Sequence, residues 1–348
     1  MLFLRSLLSA NRIYRRLMMA VMSLLCVLYF IMWSRTIQLT HIDYMHCTPP
    51  KNKSEETLNE TNINETISKQ PVNPTNIEFI LKPSNVCDVQ NGPDMLLVLV
   101  KSDVWNIPRR VSIRKTWGNV SNPQIKVIYL LGYNSIVHDM IVIESNIYKD
   151  VLQGNFVDSY DHNINKTVMA YQYAVDNCAN TKFLFFVDDD FIINIFTIKE
   201  YLKTLTYPSI LKLFAGVIIK KGRPYRNKSS KWYISREDYP YDFYPPYPAG
   251  GAILMSMTIA QLLKAEFPYV RYIHIDDVYL GIVAEKLKLQ LQNDKRFTNS
   301  YTQPLHLKNI FASHGYSGAK NLLMKWDVFL HTMSLNSSTD INKQLYKS

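Results

Sequence analysis

Apolar residues along this chain fall into three patterns. The first is an uncharged run, LMMAVMSLLCVLYFIMWS, at residues 17–34. At helical rise it reaches roughly 27 Å, enough to cross a bilayer core. Arg5, Arg12, Arg15 and Arg16 precede it. The positive-inside tendency therefore keeps residues 1–16 cytoplasmic and sends the remainder across the membrane. A cleaved signal peptide is the competing reading. The run is long for such a peptide and no small-x-small site follows before Arg35, which favours an uncleaved signal anchor. The second pattern is short and continuous: MLLVLVKS (95–102), IKVIYLLG (125–132) and KFLFFV (182–187) read as buried strands. The third has helical spacing: Val168, Tyr171 and Val175; Ile198, Tyr201, Leu202 and Leu205; Leu280, Val283, Ala284 and Leu287. Strands alternating with helices predict a mainly parallel α/β sheet with helices on both faces, in one domain over residues 87–348.

Between anchor and domain, residues 35–86 predict a flexible stem. The stretch PPKNKSEETLNETNINETISKQPVNPTN (49–76) has too few large apolar residues to fold alone. It carries Asn-x-Ser/Thr sequons at Asn52, Asn59 and Asn64, and others follow at Asn119, Asn165, Asn227 and Asn336. Clustered after an anchor, they fit a glycosylated protein of the secretory pathway. Of four cysteines, Cys26 lies in the anchor, which leaves Cys47, Cys87 and Cys178 on the oxidising side. Cys87–Cys178 is the preferred intrachain disulfide; the alternative is that Cys178 is a buried apolar residue continuing the Val168 stripe. An odd third cysteine is either free or paired between chains, so a homodimer stays open.

Composition changes little. The chain is 47% hydrophobic and 20% charged, ordinary for a globular protein. The net charge of +10 invites an acidic partner. It is spread along the chain without a block of five basic residues, so no nucleic-acid partner is expected.

The candidate chemistry sits in FLFFVDDDFIIN (183–194), where a buried strand runs into Asp188, Asp189 and Asp190. In open α/β sheets ligands gather beyond the carboxyl ends of the strands. Alternate side chains face one way, so Asp188 and Asp190 can serve one hard cation, Mn²⁺ or Mg²⁺, which can hold a diphosphate. An Asp-rich helix N-terminus explains one or two of these residues but not a triplet on a buried strand.

The neighbours extend the pattern. RRVSIRKTWG (109–118), FVDSYDHNINKT (156–167), the triplet, GRPYRNKSSKWY (222–233), YPPYPAGGAILMS (244–256) and DDVYLG (276–281) follow in order. Together, over roughly residues 87–330, they resemble the β1,3-glycosyltransferase family, glycosyltransferase family 31. The resemblance implies a GT-A-like, Rossmann-like fold on a type II Golgi membrane protein. It implies an inverting transfer of galactose or N-acetylglucosamine from a UDP-sugar to a hydroxyl of a glycan on protein or lipid, usually with Mn²⁺. It places the metal at Asp190, with Asp188 beside it, Asp189 on the donor, and His314 as a second ligand with His306 in reserve. Arg114 and Lys166 match donor-side positions, whereas Arg109, Arg110 and Lys115 read as a solvated helix face and Trp117 as core. Asp277 is the expected base, with Asp276 where the family carries a glutamate. A helix cap is the competing role for this pair. Tyr247, Gly250 and Gly251 form an aromatic and glycine-rich wall suited to a sugar. Ala252 and Ile253 depart from the family's pattern there, which bears on donor or acceptor preference.

Two other function classes remain: an inactive Golgi binding or chaperone protein with this fold, and a lumenal metal-dependent hydrolase. Retention of both Asp190 and Asp277 speaks against the first. UDP release coupled to acceptor rather than to water separates the second.

Overall fold

The computed structural model describes residues 70–74, 76–84, 86–87, 96–119 and 124–345, with side chains as far as 334. The tail, the anchor, most of the stem, Cys26, Cys47, Asn52, Asn59 and Asn64 lie outside these residues, as does the side chain of Asn336. No helix among the described residues is long and apolar enough to cross a membrane.

The three apolar runs form the strands β2 (Leu96–Lys101), β3 (Ile125–Tyr133) and β5 (Phe183–Asp188). With β1 (Phe79–Leu81), β4 (Val151–Val157), β7 (Phe214–Ile219), β8 (Tyr247–Ser256) and β9 (Gln292–Asn293) they build one sheet, ordered β1-β4-β3-β2-β5-β8-β7-β9. A second sheet joins β10 (Phe297–Thr298), β11 (Ala312–His314) and β6 (Phe191–Ile193). The parallel block is narrower than the sequence predicts. It spans β4-β3-β2-β5, while β1 pairs antiparallel with β4 and β8 antiparallel with both β5 and β7. YPPYPAGGAILMS, read as a wall, contains the whole of that antiparallel strand β8.

The helices are α1 (Ile107–Lys115), α2 (His138–Tyr148), α3 (Asn163–Asn177), α4 (Ile195–Thr204), α5 (Tyr207–Leu211), α6 (Met257–Glu266), α7 (Asp276–Lys286) and α8 (Ala319–Leu345). They cover both faces. Along β2, Leu97 and Leu99 pack with Met169 and Tyr171 of α3, Leu263 of α6 and Val283 of α7. Leu96, Val98 and Val100 face the other way, toward Ile113 of α1, Ile198 of α4 and Trp326 of α8. Period-two alternation buried on both sides is why the strand reads as a continuous apolar run.

The domain begins earlier than residue 87. Ile77 N–H donates to Gln172 at 2.8 Å, and Phe79 and Leu81 pair with Gly154 and Gln153. The Asn73 side chain donates to Phe267 O at 2.7 Å and accepts from Tyr272 N–H at 3.2 Å. The polar composition hid this because a short edge strand needs only a few apolar residues. Cys87 is bonded to Cys178 with Cα atoms 5.2 Å apart, which ties the entry of the domain to the end of α3.

Candidate active site

Adjacent parallel strands β2 and β5 end in register, Lys101 opposite Asp188. Both strands are buried to their last residue, so their polar ends are delivered together into one cleft. Lys101 Nζ lies 3.3 Å from Asp188 and 2.9 Å from Asp276. Burial works against its charge, but Asp188 and Asp276 outweigh it and hold the ammonium protonated well above its ordinary range. Thr167, in α3, donates to Asp276 at 2.6 Å. Lys101 therefore balances part of the carboxylate charge gathered here.

The triplet splits into two faces. Asp189 is buried and accepts from Ser102 Oγ at 2.6 Å, Asn106 at 3.0 Å and Arg109 at 2.7 Å. Asp188 and Asp190 face the cleft. Burial, with Asp276 and Asp190 nearby, raises Asp188 to about 6 despite Lys101. The small sheet brings His314 in: β11 pairs with β6, His314 opposite Phe191, and its Nε2 lies 3.2 Å from Asp190 Oδ2. The other oxygen, Asp190 Oδ1, is buried without a hydrogen-bond partner.

These residues fit a divalent cation of a particular kind. No group of three or more His, Cys, Asp or Glu among the described residues could hold an ion alone. Mg²⁺-like ions are commonly held by one or two carboxylates together with substrate phosphates and water. Asp190 with its orphaned oxygen and His314 match that partial set, and Asp188 faces the same cleft.

Asp277 follows Asp276 on α7 and lines the same cleft as Asp188 and Asp190. It lies in the first turn of α7, not in a loop, and neither it nor Asp276 is the N-cap, which is Ile275. Its Oδ2 accepts from Gly250 N–H at 3.0 Å and Oδ1 from Val278 N–H at 2.8 Å. Burial and the charge of Asp276 raise it to about 6, against the pull of Lys101 and those two N–H groups. Burial also disfavours the Asp276 anion, but Lys101 and Thr167 outweigh it and hold that carboxyl below its usual range. Two neighbouring carboxylates are thus pushed apart by environment, the arrangement that separates a proton acceptor from a fixed charge. A Cβ on Gly250 would stand 3.1 Å from Asp277 Cβ, and one on Gly251 would meet the Phe191 ring at 2.3 Å. The glycines therefore seat Asp277 and Phe191 as well as lining the cleft.

Two connected spaces result. A cavity of about 240 Å³ is lined by Ser102, Asn106, Asp158, Lys166 and the triplet. A second, about 430 Å³, is lined by Asp188, Asp190, His314, Tyr247, Gly250, Gly251 and Asp277. Lys101, Tyr160 and Asn163 border both.

The other expected residues distribute unevenly. Lys166 lines the smaller cavity, its Nζ donating to Ser102 O and Asp158, each at 2.7 Å. Arg114 is a correction. It lines neither cavity but pairs with Asp150 at 2.7 Å and Glu144 at 2.8 Å, its guanidinium 3.9 Å from the Tyr148 ring. It braces α1 against β3 and α2. Arg110, read as solvated, is fully buried and bonds Glu144, and Arg109 holds Asp189. Trp117 is buried and donates to Phe191 O at 3.1 Å. His306 is exposed in the turn Pro304–Asn309 and lines neither cavity. Ala252 and Ile253 are buried opposite Val187 and Phe186, so the departure falls in the sheet rather than the cleft wall. In the Asn165 sequon, Lys166 and Thr167 both serve the site, which accounts for N-K-T without a glycan. Asn119 and Asn227 are exposed.

Sequence reasoning missed Lys101, Ser102 and Asn106, Thr167 behind Asp276, and the cavity-lining Tyr160, Arg223, Lys231 and Trp232. One signal was available: a lysine ending an apolar strand, aligned with the first aspartate of the next.

A family model described as galactosyltransferase matches residues 108–295. The β-1,3-galactosyltransferase brn of Drosophila melanogaster is 34% identical over 259 residues, covering 72% of this chain and 79% of that protein. The mouse lactosylceramide 1,3-N-acetyl-beta-D-glucosaminyltransferase is 30% identical over 283 residues, 77% of this chain and 74% of that protein. Human β-1,3-galactosyltransferase 1 is 33% identical over 227 residues, 64% of this chain and 68% of that protein.

Proposed function

The chain belongs to the β1,3-glycosyltransferase family and is a hexosyltransferase, and from that premise we propose that it transfers galactose or N-acetylglucosamine from a UDP-sugar to a glycan hydroxyl with inversion at C1. The observation that carries this reading is the start of α7 beside the triplet. There Asp277, raised to about 6, is aimed by the Gly250 N–H into the cavity that Asp188 and Asp190 also line.

Uridine and diphosphate occupy the smaller cavity, with Lys166 and Asn106 in reach, and the sugar extends past Asp188 toward Gly250 and Gly251. The acceptor hydroxyl enters beside Asp277. Its oxygen bonds to C1 as the bond from C1 to the β-phosphate oxygen breaks, and that electron pair leaves on UDP. Asp277 takes the hydroxyl proton. Asp276, fixed by Lys101 and Thr167, keeps a negative charge beside the base and sustains its basicity. Asp189 is a positioning residue, its carboxylate clamping the start of α1 to the end of β5. Asp190, His314 and Asp188 would hold Mn²⁺ or Mg²⁺, which supplies electrostatic stabilisation of the departing diphosphate.

The apolar run at 17–34 and the sequons after it support a type II Golgi address with the catalytic domain lumenal. Incubating the solubilised chain with a panel of UDP-sugars and acceptors tests the function. One UDP-sugar should yield product and UDP together. UDP released at the same rate without acceptor would make the protein a hydrolase.

A further inference from the structure

The basic excess is not even in space. Residues 220–236, KKGRPYRNKSSKWYISR, contain seven basic residues and no acidic one. They open the segment between β7 and β8, at the cleft end of the sheet. Two of the seven are used by the fold. Arg226 donates to Ile234 O, Ser235 O, Tyr239 O and Tyr241 O, drawing the segment into a closed loop. Arg236 pairs with Asp242 at 3.1 Å. The other five, Lys220, Lys221, Arg223, Lys228 and Lys231, are exposed, and no ion pair to a carboxylate is found for them among the described residues. Arg223 and Lys231 line the larger cavity together with Asp277, and neither lines the smaller one. Lys231 Nζ stands 5.2 Å from the Tyr160 ring and 4.8 Å from the Trp232 ring, and Arg223 lies 4.6 Å from the Phe243 ring.

Cations without a carboxylate partner, gathered beside a cleft whose floor is acidic, are placed to meet an anion that enters it. The donor's diphosphate is placed above in the smaller cavity, which neither Arg223 nor Lys231 lines. We propose that the acceptor glycan is anionic, carrying a carboxylate or a sulfate ester that Arg223 and Lys231 bind while its neutral hydroxyl reaches Asp277. Trp232 and Tyr225, their rings 5.3 Å apart, offer the adjoining apolar face for the sugar. Lys220, Lys221 and Lys228 add to the field without lining the cavity. The inference rests on the transfer reaction proposed above and names the class of its acceptor. The enzyme therefore acts after a reaction that installs a sulfate or an acidic sugar.

The test uses the solubilised full chain, its UDP-sugar, and three acceptors with the same terminal sugar: neutral, 6-O-sulfated, and carrying a neighbouring uronic acid. The expected kcat/KM for at least one charged acceptor exceeds the neutral one by about tenfold at low salt, and the ratio shrinks at roughly 0.5 M NaCl as screening grows. Which charged arm gains identifies carboxylate or sulfate as the source. Arg223→Gln and Lys231→Gln should each reduce that ratio, with the KM for UDP-sugar unchanged. Combined Lys220→Gln, Lys221→Gln and Lys228→Gln should lower the ratio partly and leave neutral transfer as it was. Equal transfer to all three acceptors overturns the inference while leaving the transferase reading intact. So does a charge preference that survives both cavity substitutions. A loop that binds anionic lipid vesicles through these lysines, without any acceptor preference, would assign the cations to a membrane and also overturn it. Absence of transfer to every acceptor with every UDP-sugar defeats the transferase reading itself.

Discussion

Replacing Asp277 by asparagine separates basicity from shape. The parent carboxylate accepts two backbone N–H bonds, from Gly250 at 3.0 Å and Val278 at 2.8 Å. Even with both, its proton affinity rises from 3.8 to about 6, because burial and Asp276 disfavour the anion. At about 1.36 kcal/mol per pH unit this amounts to at most about 3 kcal/mol against the ionised form. The folded protein keeps the proton to about pH 6 and the unfolded chain only to 3.8, so folding binds a proton in that window. The parent's stability therefore falls as pH rises through it. An asparagine side chain carries no charge to strain, but its amide nitrogen cannot accept, so one of the Gly250 and Val278 N–H groups loses its partner. Denaturant melts should put Asp277→Asn below the parent at about pH 4, by the lost N–H bond, and its stability relative to the parent should rise by about 2–3 kcal/mol between about pH 4 and pH 7.5. Transfer should fall on the order of 10²–10⁴, the usual worth of a general base, with UDP affinity little changed. An active variant would mean that another group takes the proton. A variant whose stability tracks the parent at both pH values would mean that the charge on Asp277 is not strained.

Four further outcomes follow from the same geometry. The pH dependence of kcat/KM should rise about tenfold per unit below pH 6 and level above it, since only the ionised Asp277 accepts a proton; a flat profile from about pH 5 to 7.5 contradicts this. Asp190→Ala should abolish metal-dependent UDP binding, and a chelator should stop transfer by the parent until Mn²⁺ is restored; full activity in chelator removes the cation from the account. Lys101→Met strips the cation from between Asp188 and Asp276 and should cost about 3–5 kcal/mol in denaturant melts, because it leaves buried carboxylates uncompensated; a change under about 1 kcal/mol would show the pair to be well solvated. Cys178→Ala opens the bond to Cys87 and should lower stability by about 2–4 kcal/mol; an unchanged melt would mean that the thiols are not linked in the protein as made.

The strands were legible because burial on both faces writes a continuous apolar run, and the triplet because charge at the end of such a run is conspicuous. Asp277 lines the cleft from inside the first turn of α7 and not from its cap, a position that the helical stripe beginning at Leu280 does not fix. Arg114 misled because one basic residue in IRKTWG looks like another. Only the packing shows that Arg109 faces Asp189 while Arg114 is sandwiched by Tyr129 and Tyr148. Lys101 and Thr167 were missed because their role is a contact with Asp276 across more than a hundred residues, which no local pattern encodes. The antiparallel turn of β8 has the same cause. Its direction is set by the long loop from 220 to 246, whose length the apolar pattern does not constrain.

The transfer proposed for Asp277 is one in-line displacement on a UDP-sugar. The most direct measurement is the anomeric configuration of the product, read by the C1 proton coupling in an NMR spectrum of the glycan formed from an α-linked UDP-sugar. A β-linked product, formed by the parent and lost with Asp277→Asn, is the predicted result. An α-linked product would mean retention at C1, and a single displacement with Asp277 as base would then be the wrong mechanism.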